Sequence, residues 1–395
     1  MNKKIDLESP LKRVHLPIES ASGLPNECYT EHSAFEQDRE LVFASGWSCI
    51  GFGSDVPAEW AVPIELMGLP LLITRDSKDT LRVFHNVCSH RGMQLVTEAG
   101  RLGTGLIRCK YHSWAYDFAG ALRGTPMIGG VDHNQHKDFD PTVNGLREIP
   151  SVLWMDNIFI NLSADAQPFD EFIAPLLQRW NKWVTPESLQ ELQPAASNGK
   201  MELSVKSNWK LAIENFLEAY HLPWVHPTLN SYSPLSEHYD IERGENYAGQ
   251  GSSNYQSPAG TSSTLSTWPA EQTRFAEYPV LYPNALFGLQ ADHFFSMTIL
   301  PISETESVER VQLMFIGDVA TDDKYDAYRK SVLENWRDVF LEDVFAVEGM
   351  QQGRRSPAYQ GGVFSPVMDQ QMSGQKAMRE LAWQPEYADV LAEIK

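Results

Sequence analysis

Two Cys/His pairs, Cys88-x-His90 and Cys109-x-x-His112, constrain this chain more than any other feature, and 18 residues separate them. Each pair sits in a tight stretch, 86–92 and 108–114, so two loops can each offer one soft sulfur and one imidazole to a common centre. Two thiolates on one iron and two neutral imidazoles on the other hold a mixed-ligand 2Fe-2S cluster, and the imidazoles raise its potential above that of an all-cysteine cluster. A structural zinc site draws on the same ligand types but usually orders them Cys-Cys, then His-His. The interleaved order here lets each loop supply one ligand to each iron, which favours the cluster over zinc or over buried free cysteines beside satisfied histidines.

Only four cysteines occur, and Cys28 and Cys49 lie apart from any partner motif. With no signal-like apolar run after Met1, that usage points to a reducing compartment, and the chain is expected to be cytoplasmic. No stretch approaches the roughly 20 apolar residues of a membrane span. A net charge of -20 disfavours nucleic acid as a partner. The 395 residues, 42% of them hydrophobic, suffice for more than one core. Texture divides them into an N-terminal arm (1–38), a cluster-bearing β domain (39–165) and a second domain (166–395). Strand-like runs at 71–74, 81–84 and 158–161 alternate with Gly and Pro breaks in the β domain. Helical patterns follow at 169–183 and 207–220. The polar stretch 243–267 reads as an ordered loop or a mobile lid. Strands return over 285–316, and an amphipathic helix is expected over 324–352.

A second constellation lies in the run 208–221, where Trp209, Ile213, Phe216, Leu217 and Tyr220 recur at helical spacing as a buried stripe. Pro223 is expected to end this helix. His221 then stands at its last turn and His226 just beyond, where two histidines across a break can share one metal. A helix-end histidine is more often a cap or dipole partner. A third ligand changes the balance. The last helix buries Trp336, Phe340, Val347 and Met350, and the same spacing puts Asp343 on the apolar stripe. A carboxylate buried there needs a cation opposite it, either a metal or an arginine such as Arg337 or Arg354. Two histidines and one aspartate make the facial triad of non-haem Fe(II) oxygenases, with open positions for dioxygen and substrate.

Together with Asn208-Trp-Lys, Glu214-Asn-Phe, Tyr220-His221, His226-Pro227 and Glu342-Asp343, the two Cys/His pairs resemble the oxygenase (alpha) component of Rieske non-haem iron oxygenases, from about residue 38 to about residue 360. The resemblance implies an α+β chain: a β-rich Rieske 2Fe-2S domain and a helix-grip catalytic domain, whose antiparallel sheet and long C-terminal helix enclose a mononuclear Fe(II). It also implies NAD(P)H electrons delivered by a separate flavin- or ferredoxin-type reductase. Dioxygen is then activated reductively and inserted into a small-molecule substrate.

Glu218 narrows the branch. Most ring-hydroxylating members carry Asp three positions before the first iron histidine; Glu there, with Glu342-Asp343, Gln351 and Gly353, resembles the carnitine monooxygenase and glycine betaine demethylase branch. Those relatives typically read Glu-Cys-Tyr-His-Cys where this chain has Glu218-Ala-Tyr-His-Leu222, and Ser89 and Ser113 replace the Pro and Gly common beside the cluster ligands. The expected activity is hydroxylation and N-demethylation of a small methylated ammonium compound. Arene ring dioxygenation and a Rieske electron carrier without catalytic iron are the alternatives. The family further implies a homotrimer, in which Glu218 bridges His221 to His112 of the partner subunit. Trp224, Tyr278, Tyr282 and Phe287 are the expected pocket aromatics, able to hold a quaternary ammonium by cation–π attraction. Trp268, Phe294 and Phe295 fall on neighbouring segments.

Overall fold

The computed structural model describes residues 12–17, 20–241, 244 and 246–364. Two compact units share the chain: residues 49–166, and the described residues up to Ser48 together with those from Gln167 onward. The smaller unit thus begins ten residues later than the expected 39. Among the described residues no helix is long and apolar enough to cross a membrane.

The smaller unit is built from short antiparallel strands. β1 (Trp47–Phe52), which enters it at Cys49, forms a three-stranded sheet with β10 (Ser151–Trp154) and β11 (Asn157–Asn161). β2 (Trp60–Leu66), β3 (Leu69–Arg75), β4 (Leu81–His85), β5 (Gly100–Arg101) and β9 (Glu148–Ile149) make a second sheet in the order β5-β2-β3-β4-β9. β6 (Leu106–Arg108), β7 (Ala115–Asp117) and β8 (Leu122–Gly124) make a third. The anticipated strand runs fall inside β3, β4 and β11. Cys88 and Cys109 belong to a buried cluster with Leu72, Leu95, Ile107, Trp114, Tyr116 and Leu122.

The larger unit holds one eight-stranded antiparallel sheet. Its order is β12 (Leu192–Pro194), β19 (Glu306–Ile316), β18 (His293–Ser303), β17 (Ala285–Gln290), β16 (Ala276–Leu281), β15 (Tyr247–Ser252), β14 (His238–Ile241), with β13 (Lys200–Val205) also pairing with β19. Both faces are covered. On one, Glu277 of β16 is held by Arg179 (2.6 Å) of helix α1 (Phe169–Trp180), and Phe287 and Phe294 pack on Trp180. On the other, Phe295 packs on Trp336 and Phe340 of the long helix α5 (Asp326–Gly353). The register sets Gly288 against Phe295. A Cβ at Gly288 would meet that ring at 2.1 Å, so the glycine makes room for it.

Three expectations change here. The stretch 243–267 contains strand β15, and the loop after it is pinned by buried Tyr255, Leu265 and Trp268, the last stacked on Trp183; residues 243 and 245 lie outside the described set. Met350 is 37% exposed, unlike Trp336, Phe340 and Val347. The third concerns the helix before His221. α2 (Trp209–Leu217) opens with the Asn208 side chain accepting from Lys210 N–H, but ends at Leu217, earlier than Tyr220. Glu218 is extended (φ -122°, ψ 158°), and its carboxylate accepts from the Tyr220 amide. That local bond competes with the helical ladder. Pro223 therefore does not break this helix. It starts the next, lying in the first turn of α3 (Leu222–Val225), where its missing N–H costs nothing. α4 (Pro227–Tyr232) follows.

The arm clamps α2. Asp38 accepts from Trp209 Nε1 (2.9 Å) and pairs with fully buried Lys210, while Tyr29 donates to Glu214 (2.6 Å).

Candidate active site

The two cluster loops share one backbone frame. Cys88 N–H donates to the Met93 carbonyl and Gly92 N–H to the Cys88 carbonyl (2.8 and 3.0 Å); Cys109 with Trp114, and Ser113 with Cys109, repeat both bonds at the same lengths. The fifth residue of each frame is left-handed, Gly92 at φ +71° and Ser113 at φ +58°. Ser113 carries there a strain of about 1 kcal/mol that Gly92 does not. Asn86 braces the first loop, accepting from Leu95 and Val96 amides and donating to the Val96 carbonyl.

The four side chains are placed asymmetrically. Cys88 and Cys109 are each 2% exposed, whereas His90 and His112 stand at the surface with ring centroids 4.6 Å apart. His90 also stacks on Trp114. Burial, then His112 and Arg91, lowers the His90 pKa, which favours the neutral imidazole that a metal would need. None of the four cysteines is in a disulfide. Buried thiols beneath exposed imidazoles suit a two-iron cluster whose sulfur-ligated iron is inside and whose imidazole-ligated iron is at the rim. Tyr116 Oη lies 3.1 Å from Cys88 Sγ, and burial, then that thiol, raises the phenol pKa, so the tyrosine keeps its proton and would donate it to Cys88 as a metal-bound thiolate. Such bonds favour the reduced cluster. Tyr116→Phe is expected to lower the potential by about 40 mV in a redox titration, the equivalent of ~1 kcal/mol for one electron.

The second constellation assembles at the end of α2. His221 and His226 are the two end residues flanking one-turn α3, with ring centroids 5.0 Å apart. Asp343, on α5, places Oδ1 2.8 Å from His226 Nε2 and 3.6 Å from His221 Nε2. One ligand atom from each of the three lies within 4.8 Å of the others. The other ring nitrogens are tied to carboxylates: His221 Nδ1 to Glu218 (2.5 Å) and His226 Nδ1 to Glu342 (2.8 Å). Those contacts hold the Nδ1 protons and turn the Nε2 atoms toward Asp343, the outer arrangement that orients metal-binding histidines. Burial lowers the His226 pKa, but Asp343 and Glu342 outweigh it and hold it above the usual value. The potential there suits a cation. Asp343 makes its ion pairs with these histidines rather than with Arg337 or Arg354; Arg354 faces Glu214.

A cavity of about 50 Å³ opens beside the triad, walled by Phe216, Tyr278, Phe295, Trp336 and Phe340. Of the expected pocket aromatics, Tyr278 lines it. Trp224 does not, being 70% exposed on α3. Phe287 belongs to the opposite face of the sheet, and Tyr282 follows the end of β16; neither lines this cavity. Phe295 does, while Phe294 faces α1 and Trp268 packs on Trp183.

Sequence reasoning missed the polar wall. Gln250 Nε2 donates to the carbonyls of Phe216 (3.3 Å) and Glu218 (3.1 Å). Its Oε1 therefore accepts from His238 Nδ1 (2.8 Å), and His238 Nε2 lies 3.0 Å from Ser233 Oγ and 3.2 Å from the Ser233 carbonyl. Burial lowers the His238 pKa, so it stays neutral. Glu309 was missed too. It sits on β19 at 8% exposure, and burial, with the Asp343 charge adding to it, pushes its pKa up to about 8. A raised folded-state pKa gives stability at low pH that is lost as pH climbs from the unfolded value, 4.5, through about 8. With the triad stripped of metal, denaturant unfolding should show that decline in the wild type and not in Glu309→Gln. The variant is expected to be more stable above pH 8 by a few kcal/mol on the order-of-magnitude scale of such shifts.

Family models agree with this division of the chain. Residues 46–135 match the Rieske [2Fe-2S] domain and residues 192–380 the ring hydroxylating alpha subunit (catalytic domain). The carnitine monooxygenase oxygenase subunit of Escherichia coli is 25% identical over 356 residues, 87% of each chain. The glycine betaine monooxygenase oxygenase subunit of Pseudomonas aeruginosa is 26% identical, covering 88% of this chain and 86% of that one. The fold is shared with a quaternary ammonium Rieske monooxygenase solved with L-carnitine (TM-score 0.73, 23% identity, 95% of this chain and 99% of that one). It is equally shared with naphthalene 1,2-dioxygenase from a Rhodococcus species (0.77, 18%, 99% and 100%). With its 2Fe-2S domain followed by a mononuclear-iron catalytic domain, the chain belongs to the Rieske non-haem iron oxygenases, as an oxygenase component.

Proposed function

We propose that this oxygenase hydroxylates a methyl carbon bound to nitrogen in a small quaternary ammonium substrate. The observation that carries this reading is the cavity itself: five aromatic side chains against a triad backed by Glu218 and Glu342. Aromatic faces attract a desolvated cation, and the carboxylates add a field of the right sign. Relatives that oxidise carnitine and glycine betaine support it. Cys88, His90, Cys109 and His112 would hold the cluster, and His221, His226 and Asp343 the Fe(II). Iron there supplies reductive dioxygen activation and oxygen insertion into a C–H bond.

The chain's own groups do the rest. Glu218 and Glu342 retain the Nδ1 protons, and the aromatic wall excludes water and turns a methyl toward the triad. A cavity of about 50 Å³ holds little more than a water or two, so substrate entry displaces wall side chains. After hydroxylation the N–CH2OH product breaks its C–N bond, the electron pair staying on nitrogen, to give the tertiary amine, formaldehyde and a proton. Electrons come from NAD(P)H through a separate reductase, and the active assembly is a homotrimer in the cytoplasm, with Glu218 facing His112 of the partner subunit.

The test incubates reduced protein and dioxygen with carnitine, betaines and simple arenes. Formaldehyde in proportion to dioxygen consumed, and weaker binding of a neutral isostere, support the proposal. The same apolar wall also suits an arene. A cis-diol, with no turnover of any betaine, establishes ring dioxygenation instead.

A further inference from the structure

Trp336 lines the catalytic cavity with His221, His226 and Asp343, two helical turns before Asp343 on the same face of α5. Behind it lies a chain of buried polar groups unrelated to metal binding. Trp336 Nε1–H donates to His293 Nε2 at 2.9 Å. An indole nitrogen only donates, so Nε2 carries the lone pair and the His293 proton is on Nδ1, donated to Asp292 at 2.7 Å. Tyr328 donates to the other Asp292 oxygen at 2.9 Å. His293 is fully buried and Asp292 nearly so. Burial opposes ionisation of Asp292, but His293 and the hydrogen bonds lower its pKa.

A main-chain carbonyl would satisfy an indole N–H. Burying a histidine and a charged carboxylate to do so is costly, and the pair makes Nε2 a stronger base than any carbonyl. Outward, Tyr255 stacks on Trp336 (5.9 Å between centroids, 13°). Tyr255 and Asp292 both line a separate cavity of about 230 Å³, shared with Gln256 and Arg274. The chain thus runs from the place where a strong oxidant forms to a second, polar cavity.

We propose that Trp336 is a redox-active side chain that discharges an over-oxidised metal site when no substrate is present to be hydroxylated. One electron leaves the indole for the metal, which is reduced by one. The Nε1–H bond breaks with its electron pair left on nitrogen, and the proton binds His293 Nε2. The products are a neutral tryptophanyl radical and an imidazolium paired with Asp292. A one-electron reductant, ascorbate or the chain's own electron supply, restores the indole as the proton returns.

This inference rests on reading His221, His226 and Asp343 as the iron site, so iron content is measured first in every sample: absence of the third iron overturns both, whereas a missing radical at full iron overturns this one alone. Iron-loaded, reduced protein is then treated with hydrogen peroxide without substrate. Freeze-quenched electron paramagnetic resonance with ring-deuterated tryptophan reads the radical, and peptide mass spectrometry locates oxidised residues. The expected result is a tryptophan radical in the wild type, with ring oxidation at Trp336. Trp336→Phe loses both and shifts oxidation onto His221 and His226. Asp292→Asn, which keeps a hydrogen-bond acceptor for His293 but not its charge, lowers the radical yield about tenfold. His293→Phe, where it folds, lowers it further. Equal radical yield in Asp292→Asn at equal iron content, or wild-type oxidation confined to the iron histidines, overturns the proposal.

Discussion

Asp343→Ala is expected to empty the mononuclear site: iron falls from about three to about two per chain, the two acid-labile sulfides stay, and the visible spectrum of the cluster is unchanged. The reason is geometric. Asp343 Oδ1 is the atom toward which both His226 Nε2 (2.8 Å) and His221 Nε2 (3.6 Å) are turned. The histidines alone leave a two-ligand site at opposite ends of one helical turn. Losing an outer hydrogen-bond partner costs metal sites roughly 10–100-fold, and losing a ligand costs at least the upper end of that range, so turnover should fall by about a hundredfold or more. The substitution also removes the charge that opposes ionisation of Glu309. Iron and sulfide assays beside absorption spectra decide the matter. Full iron with full turnover would show that Asp343 is no ligand.

The candidate metal-binding residues were legible because each is announced locally: a Cys/His pair in one loop, two histidines across a proline, and a carboxylate out of place on an apolar stripe. The cavity wall was not. Phe294 and Phe295 are adjacent in sequence and buried alike, yet strand alternation sends the first to Trp180 and the second to Trp336. With helices over both faces of the sheet, hydrophobicity does not alternate, and no pattern says which aromatic faces the iron side. Glu277 and Tyr278 are a neighbouring pair where a charge marks the far face, since Glu277 reaches Arg179. The Gln250–His238–Ser233 chain joins three separate segments, so it has no sequence signature at all. The end of α2 was misplaced for a different reason: Ala219 and Tyr220 are acceptable in a helix, and only the Glu218 carboxylate accepting the Tyr220 amide diverts the backbone.

That diversion leads to the second large effect, Glu218→Gln. Because Glu218 is extended, its carboxylate reaches His221 Nδ1 through a loop, while its own carbonyl accepts from Gln250. Gln at this position keeps one oxygen for the His221 proton and loses the other, which accepts from the Tyr220 amide; that loss is one local bond, and the third iron, the cluster and the assembly size are expected to persist. The negative charge is lost, and with it the second charged acceptor that would bind an N–H of His112 of the partner subunit. Electron delivery should therefore slow and turnover fall at least about tenfold, the loss of one charge-assisted hydrogen bond at ~1.5–3 kcal/mol. Stopped-flow reoxidation of a pre-reduced cluster, started with dioxygen and substrate, separates this from a binding defect: it should slow by the same factor as turnover, with little change in substrate affinity. A variant with unchanged cluster reoxidation, or a fully active isolated monomer, would end the bridging role and leave Glu218 as an orienting partner of His221 alone.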